Sequence, residues 1–177
     1  MRAQVKQGYM GGKNGPLGYL MKKKESKGKK FEYKPKYEDY REVTITVDNA
    51  TLYVATDSNG LSDPYVKVYA SKKKGILSTT HLFTTSVQSK TLSPVWNHSE
   101  TVSLCPEHIH DYLIFELYDK DILVNDFIGK GRIMLNKSGY SNFKLDLFDK
   151  DNNKIINAQV YGSIKVNEGH SGNNSSA

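Results

Sequence analysis

Residues 112–119 read YLIFELYD and residues 118–129 read YDKDILVNDFIG. An apolar, aromatic-rich run of β type ends in a loop-like stretch that carries Asp119, Asp121 and Asp126, and a second apolar run follows. Upstream, TDSNGLSDPY (56–65) places Asp57 and Asp63 in the same relation to extended sequence. Each acidic group therefore belongs at the end of strands. Carboxylates collected in one place repel one another, and some are pushed to hold protons. A hard cation removes that conflict. The ligand set is all oxygen, with no Cys or His among it, which suits calcium far better than zinc or copper. The first reading is a calcium-binding β protein.

Working outward, the same kind of run recurs. VTITV (43–47), PYVKVYA (64–70), HLFTTSV (81–87) and NHSETVSLC (97–105) precede YLIFELYD; FIGKGRIMLN (127–136), NFKLDLFD (142–149) and AQVYGSIKV (158–166) follow it. These eight strand candidates are separated by clusters of Gly, Asn, Asp, Ser or Pro. Short strands with turn signals between them predict a β-sandwich or barrel. No amphipathic helix of useful length and no internal repeat is visible.

A chain of 177 residues holds one domain with tails. Its apolar content of 37% is low for a fully packed chain, so part of the length is expected to lie outside the core. Residues 1–40 hold 11 Lys and Arg against 4 Asp and Glu, a net of +7, while residues 41–177 come to −1. The positive charge thus belongs to an N-terminal arm, rich in Gly, Lys and Tyr, which is read as extended or disordered. Folded sequence starts near Arg41 and runs to residue 167, and residues 168–177 form a polar tail. The single cysteine, Cys105, cannot form an internal disulfide, so an oxidising compartment is not indicated. No apolar stretch approaches the roughly 18 residues of a membrane span, and the N-terminus has no signal-peptide core. The expected setting is cytoplasmic, with peripheral recruitment to a membrane surface.

Three stretches carry a family resemblance. SDPYVKV (62–68), KTLSPVWN (90–97) and YDKDILVNDFIG (118–129) resemble the signature stretches of C2 domains, in the right order and at plausible distances. The resemblance covers about residues 41–167. It implies an all-β fold, an eight-stranded antiparallel sandwich with calcium-binding loops at one end, in the type II arrangement where VTITV is the first strand. It also implies that Asp57 and Asp63 are first-loop ligands, that Asp119, Asp121 and Asp126 are third-loop ligands, and that the carbonyls of Thr56 and Lys120 add oxygens. The third loop is about one residue shorter than in many members, with Leu123 or Val124 where a Ser ligand sometimes stands. About two Ca²⁺ are therefore expected, not three.

The loops carry apolar residues as well. Leu61 lies between two first-loop ligands, and Ile122, Leu123 and Val124 form the apex of the third. Large apolar residues in a hydrophilic loop suit tips that enter the headgroup–acyl boundary. A basic surface is the second anchor: Lys67 with Tyr65 on PYVKV, and Lys72, Lys73 and Lys74 just after. In relatives a lysine-rich strand binds phosphoinositide headgroups; here HLFTTSV lacks the paired lysines, which weakens that expectation. DKDNNK (149–154) has Lys154 where an EF-hand needs Gly, and EHIHD lacks further zinc ligands nearby. No nucleophile–base arrangement or glycine-rich phosphate loop can be read, so an enzyme is not expected. The expected function is calcium-dependent binding of anionic phospholipid by a non-catalytic module. Protein partners remain an alternative, as does a regulatory domain of a larger signalling or trafficking protein. Nucleic-acid binding rests on arm charge alone, and no small-molecule substrate is expected.

Overall fold

The computed structural model describes residues 34, 36, 39–57, 60–71, 79–106, 110–150 and 156–168. Eight strands make up the fold: β1 (Arg41–Leu52), β2 (Pro64–Ser71), β3 (Thr79–Thr84), β4 (Val95–Leu104), β5 (Tyr112–Asp119), β6 (Asp126–Met134), β7 (Gly139–Phe148) and β8 (Ile156–Val166). All pairings are antiparallel, and the described residues contain no α-helix. The hydrogen-bonded order is β3-β2-β5-β6-β7-β8-β1-β4. Between β6 and β7 the ladder thins to one pair, Lys130 with Phe148, and the sheet turns over there into two layers. The last strand lies between the first strand and β7, as the type II arrangement requires.

Alternation explains the layers. On β1, Val43, Ile45 and Val47 are fully buried, while Thr44 and Thr46 turn outward and meet Thr101 and Ser99 of β4 hydroxyl to hydroxyl at 2.9 and 3.1 Å. Past Val47 the buried positions change phase to Ala50 and Leu52. The register toward both β4 and β8 shifts between Val47 and Asn49, so Asp48 sits in a bulge that re-aims the end of the strand. Asn97 opposite has φ of 47°, a left-handed value that Asn tolerates better than most residues.

Both layers supply the core. Val66, Val68, Phe115, Leu117 and Ile128 come from one; Val43, Ile45, Leu147, Val160 and Ile164 come from the other. Phe115 and Phe143 meet across the interior with ring centroids 5.1 Å apart. Burying each such side chain contributes about 1.5–3 kcal/mol. Gly162 on β8 is forced by closeness: a Cβ there would come within 2.0 Å of the Thr46 carbonyl oxygen and 2.7 Å of the Phe143 ring. The strand ends differ from the sequence expectation at β3, which stops at Thr84 and not at residue 87. Thr85 folds under, buried, donating its N–H to the Val66 carbonyl at 2.9 Å and accepting the Val66 N–H on Oγ1, also at 2.9 Å.

Candidate functional site

Register brings the acidic loops to one end. Asp119, the last residue of β5, pairs with Pro64 on one side and with Asp126 on the other. Asp63 immediately precedes Pro64, and its carbonyl accepts the Lys120 N–H at 3.0 Å. Asp57 lies in the β1–β2 connection, where its N–H bonds to the Leu61 carbonyl at 3.2 Å and its carbonyl accepts the Gly60 N–H at 3.0 Å. Gly60 has φ of 78°, which suits that tight turn.

The side chains divide the work. Asp119 is 1% exposed and accepts on both oxygens: Oδ1 from the Asp63 N–H at 2.6 Å, and Oδ2 from the Thr56 hydroxyl. Ser62, fully buried, holds Thr56 through its Oγ, 2.9 Å from Thr56 Oγ1 and 3.3 Å from Thr56 N. Asp63 Oδ1 accepts the Lys90 N–H at 2.6 Å, tying in the β3–β4 connection, where Lys90 has φ of 54°. The Asp121 N–H donates to Asn125 Oδ1 at 3.1 Å.

Asp57 registers the electrostatics. The pKa of its carboxyl is raised, first by partial loss of surrounding water, then by Asp119, Asp121, Asp63 and Asp126 in turn. All four other aspartates are thus close enough to act on it. Among the described residues, however, the side chains as placed form no group of three or more acidic or histidine ligands around one point. Asp63 and Asp119 are turned onto backbone N–H groups instead. The donor chemistry still fits a hard cation. A carboxylate oxygen accepting one N–H keeps a further lone pair. Like-charge crowding at Asp57 is the conflict a divalent ion relieves.

The apex residues stand clear of the sandwich: Ile122, Leu123 and Val124 are 101%, 93% and 75% exposed. Leu61 is half-buried, unlike them. Beside the acidic loops, Tyr65 and Tyr118 stack with centroids 5.7 Å apart, and Lys67 Nζ lies 4.6 Å from the Tyr118 centroid and 5.7 Å from that of Tyr65. Tyr118 donates to Glu116 Oε2 at 3.0 Å, and Glu116 Oε1 accepts from Lys130 Nζ at 2.7 Å. Burial first, and then the Glu116 carboxylate, raises the Tyr118 phenol well above its usual range. Lys72, Lys73 and Lys74 lie outside the described residues, as do residues 1–33 of the basic arm.

Ser62, Lys90, Tyr118 and Asn125 were not singled out from sequence. Ser62 and Asn125 each adjoin a proposed ligand, a local signal that short polar residues hold the loops. Lys90 acts through its backbone N–H, which no side-chain pattern reports.

Comparison with known proteins agrees with this fold. The C2 domain family pattern matches residues 41–147. A C2 domain-containing protein of Dictyostelium discoideum is 42% identical over 139 residues, covering 74% of this chain and 69% of its own length. Synaptotagmin 1 of Drosophila melanogaster is 35% identical over 120 residues, 64% of this chain but 24% of that protein. A C2 domain of a plant extended synaptotagmin 1 superposes with a TM-score of 0.56 at 20% identity, covering 72% of this chain and 95% of that one.

Proposed function

The chain belongs to the C2 domain family, and from that premise we propose that it binds anionic phospholipid surfaces in a calcium-dependent, non-catalytic manner. The observation that carries this reading is the register that brings Asp63, Asp119 and Asp126 together at the loop end of the sandwich, beside three exposed apolar residues. Asp57, Asp63, Asp119, Asp121 and Asp126, with the carbonyls of Thr56 and Lys120, would hold about two Ca²⁺. Bound calcium would supply positive charge and open coordination positions for phosphate oxygen at a surface that is otherwise acidic. Ile122, Leu123 and Val124 then enter the headgroup–acyl boundary. Leu61, half-buried, contributes at the rim. Lys67 and Tyr65, with Lys72, Lys73 and Lys74 and the basic arm, add attraction worth about 1 kcal/mol per lysine near an anionic leaflet. In this reading residues 41–167 are the module, residues 1–40 the arm and residues 168–177 a polar tail. The protein works in the cytoplasm and is recruited to membrane.

The experiment is sedimentation with phosphatidylserine vesicles, in calcium and in chelator. Calcium-dependent pelleting is expected; equal pelleting in both would sink the proposal. A second reading, a regulatory or scaffold module, is favoured by one observation: the chain spans only 24% of the synaptotagmin it matches, so such modules occur within larger proteins. Retention of a protein partner by an Asp63→Asn, Asp121→Asn double variant that no longer binds vesicles would favour it.

A further inference from the structure

β6 and β7 separate after a single ladder pair, and the separation leaves an open strand edge. The Leu135 N–H donates to the Asp111 carbonyl at 2.8 Å, so Leu135, Ile133 and Gly131 turn their backbone groups toward β5. The intervening residues, Arg132 and Met134, turn theirs the other way. On that side the ladder ends at Lys130 with Phe148, and no described strand pairs with Arg132 or Met134. Next to this edge lies a hollow of about 950 Å³. It runs along Tyr112, Ile114 and Glu116 of β5, away from the acidic loop that begins at Asp119.

Tyr69, Tyr112, Ile114 and Leu145 supply the apolar surface of the hollow. Its charges are unequally matched. Glu116 is engaged by Lys130 at 2.7 Å and by the Tyr118 hydroxyl at 3.0 Å, and Asp146 Oδ1 accepts from the Gln159 amide at 2.7 Å. Arg132 and Lys144 have no carboxylate partner among the described residues. Each lies near a ring instead, Arg132 at 5.3 Å from the Tyr112 centroid and Lys144 at 5.9 Å from that of Tyr161.

We propose that this hollow, with the open edge of β6, docks a short extended segment of another protein that carries carboxylate side chains. The backbone of the segment bonds to the N–H and C=O groups of Arg132 and Met134 and adds a short strand beside β6. Side chains of an added strand alternate in direction. One set lies beside Arg132 and Lys144 and favours Glu or Asp. The other lies toward Leu145 and favours aliphatic groups. A lipid headgroup fits less well, because it offers no backbone for Arg132 and Met134 to pair with. The site needs no calcium, and titration in chelator keeps its result separate from that of the proposed function.

The probe is a short acetylated and amidated peptide of alternating glutamate and leucine, titrated by calorimetry in chelator, with its glutamine and leucine counterpart beside it. Wild type is expected to bind the glutamate peptide about tenfold more tightly than the glutamine one. With the glutamate peptide bound, the Arg132 and Met134 amides are expected to exchange with solvent about tenfold more slowly. An Arg132→Gln, Lys144→Gln double variant, altered at two exposed side chains, should keep the wild-type melting temperature and lose the preference for glutamate. No binding of the glutamate peptide, equal binding of the two peptides or unmoved exchange at Arg132 and Met134 each overturns the inference in wild-type protein, with no variant needed. So does a double variant that keeps its preference for glutamate while losing its pelleting with phosphatidylserine vesicles, which would assign the two cations to lipid.

Discussion

Asp57 stands apart at the residue scale: it carries the like-charge pressure of the other four carboxylates. Asp57→Asn removes one charge from that crowd. The metal-free variant is expected to melt no lower than wild type, while the rise in melting temperature on adding calcium shrinks. Differential scanning calorimetry with and without calcium reads both. The apex residues give the complementary prediction. Because Ile122 and Leu123 are exposed, a Leu123→Ser, Ile122→Ser variant should leave stability within about 0.5 kcal/mol of wild type. Its vesicle affinity should fall tenfold or more, since each buried side chain contributes about 1.5–3 kcal/mol. The aspartates were legible in sequence because each ends or interrupts an apolar run. Ser62, Asn125 and the Lys90 N–H were not. Asn125 reaches Tyr65 across 60 residues, and the Lys90 N–H reaches Asp63 across 27; such bonds exist only once register is fixed.

At the scale of elements, β8 and the β4–β5 connection each make a sharp prediction. Gly162→Ala drives a methyl group into the Thr46 carbonyl and the Phe143 ring. The strands must separate, and a loss of about 1–3 kcal/mol or more is expected by urea unfolding. The connection is closed by His110, whose N–H donates to the Cys105 carbonyl at 2.9 Å and whose Nδ1 accepts the Cys105 N–H at 2.9 Å. Burial lowers the His110 pKa below 6.5, against a smaller opposing pull from Asp111. The unfolded chain therefore binds a proton more readily than the native one in the interval below 6.5. Stability from this group is present above that value and is lost as pH falls through the interval toward the folded pKa. Denaturation measured between pH 7 and 5 should show the decline, and His110→Asn should flatten it. Element existence was readable from alternation, and β5 coincides with the run YLIFELYD. The Asp48 bulge was not readable: VTITV ends before it, and the phase change to Ala50 and Leu52 is set by both neighbouring strands.

The whole molecule adds a linkage prediction. A native site that takes calcium, in a chain whose unfolded form lacks the site, is stabilised by about 2.7 kcal/mol at an ion concentration one hundred times the Kd. Chelator should abolish the gain without altering the strand content seen by circular dichroism, because the core of both layers contains no proposed ligand. The sequence order of the strands has a further consequence for biosynthesis. β1 leaves the ribosome early, yet one whole side of it pairs only with β8, and the exposed side of β7 waits for the same strand. At about 5–20 residues per second, some 100 residues of synthesis leave β1 without that neighbour for roughly 5–20 s. During that interval the nascent chain presents Val43, Ile45 and Val47 on an open edge, the condition in which aggregation competes with closure and a chaperone finds its client.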